Sequence, residues 1–280
     1  MRIRAGFEII FECPAPTPLL LMLSLRPERR ADLETPDAIY PEPDIPLRQY
    51  LDGFGNVCTR LTAPPGRLTL RSDFVIRDTG HPDPQAPLAA QHAIEELPDK
   101  VIQFLLGSRY CETQHPSDLA WRLFGDTAPG WPRVQAIVDY AHARLEFGYA
   151  HARNTRTAWE AHEEQVGVCR DFAHLAIALC RCMNIPARYC TGYLGDIGVP
   201  RSDAPMDFSA WFEVYLGGAW RTFDARHNRP RIGRILMAVG RDATDVAIST
   251  NFGPAQLESF QVFTDELTEE ADASLRRRTG

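Results

Sequence analysis

No run of the sequence approaches the ~18 apolar residues a membrane-spanning helix needs. The best, Leu19 to Leu25, is far too short. A signal peptide is not expected either, because Glu8 and Glu12 interrupt the apolar part of "MRIRAGFEIIFEC". Positive charge is outnumbered, with 30 Lys and Arg against 37 Asp and Glu. The net charge is −7 and the pI about 5.6, and the one uninterrupted basic run is Arg276 to Arg278. Phosphate recognition needs concentrated Lys and Arg, so no nucleic-acid partner is expected, and no membrane partner. A disulfide framework is missing too: the seven cysteines are odd in number and irregularly spaced. Reduced thiols and a cytoplasmic address are the expectation. No internal repeat or low-complexity tract is present.

What is there suits a globular protein with a real core. The 280 residues are 44% hydrophobic and 24% charged, enough for one large or two modest domains. Ile3, Phe7, Ile9, Phe11 and Cys13 share one face of an alternating segment, with Arg2, Arg4, Glu8 and Glu12 on the other. That is a half-buried strand. Further strands are expected at Leu19–Leu25, Val57–Leu61 and from Leu68 to Ile76. With the turn signals between them they suggest a β-sandwich over residues 1–85. "TGHPDPQAP" at 79–87 reads as the linker. Residues 86–280 then form a second domain. It has helical spacing at Val101–Leu106, Asp118–Phe124 and Val134–Leu145, and a capping box at Thr157 and Glu160. The clearest helix is Cys169 to Met183, ended by Asn184 and Pro186.

Cys169 opens that helix. The free N–H groups and the dipole of a helix start favour a thiolate, the reactive form of the side chain, and the Cys169 N–H can stabilise an oxyanion. Taken alone, a cysteine is more often a small buried hydrophobe, and the other six are read that way. Cys180 and Cys182 are two apart on a helix and point in different directions, so no zinc site is expected, and no acidic cluster suggests another metal.

The sequences "GVCRDFAHLAIALCRCMNIPARYCTGYL" and "DFSAWFEVYLGGAWRTFDARHN" together resemble the transglutaminase-like cysteine enzymes of bacteria. The resemblance covers roughly residues 110 to 265 and implies a papain-like α+β core: a helix with an N-terminal Cys packed on an antiparallel sheet. The N-terminal sandwich also resembles one that often precedes this core. By the resemblance, Cys169 is the nucleophile and Asp224 the carboxylate that orients an imidazole. The family's histidine directly precedes Ala-Trp, and here that position is Ser209. A serine hydroxyl is no base near neutral pH, and the Arg226 guanidinium stays protonated.

Register decides what can replace it. With Gly217-Gly218 as a two-residue turn, Trp211 faces Asp224, Ser209 faces Arg226, and His227 falls opposite Phe208, off the site face. Asp224 would then reach toward Ser209, Arg226 or water. A three-residue turn would bring His227 opposite Ser209. His162 is a weaker candidate base, and His174, about 140° around the helix from Cys169, reads as a core histidine. Tyr149, Trp159, Arg170 and Trp211 are candidate substrate-binding residues, with ordinary core aromatics and a solvated helix start as the plainer readings. The arginines of "RHNRPRIGR" suit either an acidic substrate or an exposed loop.

Three functions are compatible. One is a hydrolase or acyltransferase acting on peptide or protein amides through a Cys169 thioester, without a cofactor. Another is a peptide- or protein-binding module with impaired catalysis. The third is a redox-sensitive thiol. The sequence leaves the oligomeric state open.

Overall fold

The computed structural model describes residues 1–202 and 204–268; the basic run at 276–278 lies outside them. The first half is antiparallel sheet. Its strands are β1 (Arg2–Cys13), β2 (Thr17–Leu21), β3 (Tyr40–Glu42), β4 (Arg48–Leu51), β5 (Val57–Ala63) and β6 (Gly66–Arg77). β1 alternates as expected, with Ile3, Ala5, Phe7, Ile9, Phe11 and Cys13 all buried.

A helical segment follows: α1 (Asp99–Ile102), α2 (Ser117–Phe124) and α3 (Trp131–Arg144), then β7 (Glu146–Phe147), α4 (Ala158–Glu164), β8 (Val166–Gly167) and α5 (Cys169–Cys182). The helix expected at Val101–Leu106 begins earlier and tightens into a 3₁₀ turn at Gln103–Leu105. The sheet at the centre of this half runs β11 (Ala219–Phe223), β10 (Ser209–Leu216), β9 (Ala187–Tyr193) and β12 (Ile235–Gly240), in that spatial order. One face of β10, carrying Ala210, Phe212, Val214 and Leu216, joins the core built on α3 and α5. Trp211 lies on the other face with Cys190 and Val239.

The chain then returns to its beginning. β13 (Ser249–Asn251) pairs with β2, and β14 (Gln256–Glu266) pairs with β1 along nearly its whole length. Each completes a four-stranded sheet, β14-β1-β6-β3 and β13-β2-β5-β4. The two sheets share one apolar core. The strand pairing crosses the expected boundary at residue 85, because both sheets draw a strand from the far end of the sequence. β14 mixes polar and apolar residues and stays largely exposed on its outer face, so its pairing left no local pattern to read.

Tyr193, Phe208, Ile235 and Met237, from the central sheet and its approach, are buried in the same core. Phe208 is the pin. Its ring meets Phe7 at 6.2 Å, Tyr193 at 5.0 Å and Phe260 at 5.6 Å. Full burial of such a ring stabilises by about 2–3 kcal/mol, and it anchors the chain at the residue before Ser209, where β10 begins.

Candidate active site

α5 is built to present Cys169. Gly167 lets Asp171 pack directly over the chain, since a Cβ there would lie 2.6 Å from the Asp171 Cβ. The Val168 N–H donates to Asp171 Oδ2 at 2.9 Å, and Arg156 NH1 donates to the same oxygen at 3.1 Å. Asp171 is fully buried, so the helix start is locked by a paired carboxylate. Cys169 is partly exposed at the first turn.

The thiol does not have the lowered pKa expected of a helix start. Burial pushes it up to about 11, and neighbouring Asp207 adds to the push. The positive charge of Arg226 and a hydrogen bond from the Ala210 N–H act the other way without overcoming desolvation. At neutral pH Cys169 is a thiol.

The hairpin adopts the two-residue turn: Leu216 pairs with Ala219 and Phe212 with Phe223. Gly217 and Gly218 supply the left-handed backbone it needs, at φ +57° and +79°. The strand stops at Phe223, however, and the chain turns at Asp224. His227 therefore faces neither Phe208 nor Ser209. Its backbone N–H donates to Asp224 Oδ1 at 2.9 Å, and its Nδ1 lies 2.8 Å from Asp224 Oδ2. A carboxylate only accepts, so Nδ1 carries the proton and Nε2 is left free.

Asp224 has a third partner. Arg234 NH2 donates to its Oδ2 at 2.8 Å, and Arg234 Nε donates to Asp83 Oδ2 at 2.9 Å. The carboxyl is held well below the usual range, the Arg234 charge and the His227 hydrogen bonds outweighing burial. Asp224 thus takes His227 and Arg234, not Ser209 or Arg226. The segment expected as a linker reaches the site: Asp83 also accepts the Arg231 N–H at 2.8 Å.

Two clefts meet here. One, about 590 Å³, is lined by Tyr149, Ser209, Arg226, His227 and Asp207. The other, about 970 Å³, is lined by Cys169, Arg170, Tyr110, Tyr189, Ala210 and again Asp207. Cys169 and His227 therefore open into neighbouring clefts that share the Asp207 wall. Arg170 lines the thiol's cleft, but its guanidinium is tied to the backbone carbonyls of Arg153 and Asn154 and does not reach inward to hold a thiolate.

Other expected residues lie elsewhere. Trp159 packs between His115 and His162, and Trp211 is buried beneath Arg234 on the far face of β10; neither lines the two clefts. Stacking against neighbouring rings and cations is what takes them there. His162, stacked on Tyr140 and Trp159, is likewise away from the thiol. His174 is a core residue: its Nε2 accepts from Ala243 N at 3.1 Å, and burial lowers its pKa to about 3. Asp83 was missed as a site residue, and Arg234, read with its neighbours as suited to an acidic substrate or an exposed loop, is instead buried between Asp83 and Asp224. Both act across the fold, and only the third dimension joins them to Asp224. Among the described residues, no three His, Cys, Asp or Glu side chains are grouped to hold a metal.

A cysteine at a helix start, set against a hairpin that ends in an imidazole-bearing aspartate, defines a class. Residues 118–225 match the model of the transglutaminase-like superfamily, and this part of the chain is a transglutaminase-like core. The whole chain is similar to a solved structure from Cytophaga hutchinsonii described as a "putative cysteine protease". The TM-score is 0.80 at 29% identity, covering 96% of this chain and 91% of that one. An uncharacterized protein of Mycobacterium leprae is 27% identical over 209 residues, 71% of this chain and 73% of its own length. One from Mycobacterium tuberculosis is 26% identical over 216 residues, 70% and 68% respectively. Among the described residues no helix is long and apolar enough to cross a membrane.

Proposed function

We propose that the protein is a transglutaminase-like cysteine hydrolase or acyltransferase acting on amide bonds of peptides or proteins. The observation that carries this reading is the Asp224–His227 contact at 2.8 Å. It supplies a carboxylate-oriented imidazole although the family's histidine position holds Ser209. In this reading the neutral Cys169 thiol attacks the amide carbonyl while His227 Nε2 accepts its proton. The C–N bond breaks, the amine leaves with that proton, and a thioester remains. Water resolves it to a carboxylic acid, or an amine to a new amide, and the thiol is restored. The Ala210 N–H beside the sulfur and the free N–H groups of α5 are placed to steady the oxyanion. The likeness to the Cytophaga hutchinsonii structure supports a peptide or protein substrate. Seven unpaired cysteines support a reducing, cytoplasmic setting.

A second reading, a catalytically impaired peptide-binding module, is favoured by one observation: thiol and imidazole line different clefts. Release of amine from a peptide mixture decides between them. Cys169→Ala should abolish it, and His227→Ala should lower kcat by about a hundredfold, the usual worth of a general base. Ser209→His should raise the rate if the cleft still accepts an imidazole there. Peptides that bind wild type and are never cleaved would leave the second reading standing.

A further inference from the structure

Side chains alternate along a strand, so Ser209 and Trp211 share one face of β10 and Ala210 and Phe212 the other. The Ala210 face packs toward α5, and Ala210 borders the Cys169 cleft. β11 repeats the division. Phe223 packs on Phe212 and Trp131, which sends the next residue, Asp224, toward the Trp211 face. Arg234 fixes the side. Its guanidinium lies 5.0 Å from the centre of the Trp211 ring and donates to Asp224 Oδ2 at 2.8 Å. Asp224 in turn holds His227 at 2.8 Å. The carboxylate–imidazole pair therefore stands on the Ser209 side of the sheet.

The clefts divide the same way. Ser209 and His227 both line the cleft of about 590 Å³, and Cys169 lines the other. With Nδ1 protonated against Asp224, His227 Nε2 is a free acceptor. Among the described residues neither Nε2 nor the Ser209 hydroxyl has a hydrogen-bond partner. Arg226 lines this cleft too, and among the described residues no carboxylate lies within ion-pairing distance of it. Its guanidinium lies 3.7 Å from the centre of the Phe147 ring. Stacking uses the face of the guanidinium and leaves in-plane N–H groups to meet an oxyanion. Leu194, Ile197, Met206 and Val262 add an apolar wall. A hydroxyl, an oriented base, a cation for developing negative charge and an apolar wall are the parts of an acyl-transfer site.

We propose that Ser209 is a second nucleophile, served by His227 and Asp224, and that this cleft hydrolyses carboxylic esters with a small apolar acyl group. The proposal goes beyond the thioester reading, since it uses neither Cys169 nor its cleft. Ser209 Oγ attacks the ester carbonyl as its proton passes to His227 Nε2. The C–O bond breaks, the alcohol leaves with that proton, and an acyl-serine remains. The same imidazole takes a proton from water, which attacks the acyl group, and returns the proton to Oγ as the acid leaves. Asp224 holds the tautomer and stabilises the imidazolium. An ester suits a site with one cation at the oxyanion, because an alcohol leaves more readily than an amine.

The test uses the full chain carrying Cys169→Ala, so that thiol chemistry at that position does not contribute. The probe is a biotinylated fluorophosphonate, from which an attacking serine oxygen displaces fluoride. Peptide mapping by mass spectrometry should find one label, on Ser209, and prior unfolding in urea should abolish it. Adding His227→Ala should slow labelling by about a hundredfold, the usual worth of a general base. Hydrolysis of p-nitrophenyl butyrate should fall by a similar factor in that variant and stop once Ser209 is labelled. No label, a label on another residue, or equal labelling of folded and unfolded chain overturns the proposal. A labelling rate unchanged by His227→Ala, in a variant whose circular dichroism matches its parent, overturns it too. So does a labelled Ser209 with no ester turnover, or ester turnover that survives complete labelling.

Discussion

Asp224 is gripped by two cation-forming groups, His227 and Arg234, and both its oxygens are occupied. Removing one partner of a buried pair leaves an uncompensated charge, so Arg234→Gln should destabilise the fold by about 3 kcal/mol. The pH dependence should change as well. A carboxyl whose folded pKa is depressed adds stability above its unfolded pKa, near ~4, and that stability is lost as pH falls below it. Urea denaturation of wild type should show this loss in acid, and Arg234→Gln should show a shallower one. An unchanged acid slope would place the stabilising partner elsewhere. At this scale Cys169, Ser209 and Asp224 were legible because each sits in a short motif. His227 was named as a candidate base, but its contact was not foreseen, because it depends on the chain leaving the strand after Phe223. The Arg234–Asp83 contact spans 151 positions and left no local trace.

The β10–β11 hairpin sets the register that everything at the site depends on. Gly218 has open space where a Cβ would go, yet its φ is +79°. Gly218→Val should therefore cost about 1–2 kcal/mol through the backbone alone, measured as a lowered urea midpoint with an unchanged slope. Thr157 opens α4 with the expected capping box, its side chain accepting the Glu160 N–H at 3.2 Å. Thr157→Ala should cost about 1 kcal/mol. Elements with strong periodicity or punctuation were readable from sequence: β1, β5, β6, α3, α5 and this hairpin. β13 and β14 were not, because a strand paired to a partner more than 200 residues away carries no nearby turn to announce it.

The whole molecule is closed by that long-range pairing. Cutting it between residues 85 and 86 should not yield two working parts. Residues 1–85 lack β13 and β14, so both sheets keep an unpaired edge beside apolar surface. Residues 86–280 lose Phe7 from beside Phe208 and Phe74 from beside Tyr193. Expressed alone, the first piece should show no cooperative unfolding by circular dichroism, and the second should aggregate. A folded, monomeric 1–85 fragment would refute the integrated fold.

The β1–β14 pairing also has a consequence in time. β1 leaves the ribosome long before its partner β14 is made. At about 5–20 residues per second, the intervening roughly 250 residues take on the order of ten to fifty seconds to synthesise. Through that interval β1 offers a bare edge to any neighbouring nascent chain. Two copies on one message can close each other's sheets by exchanging β14.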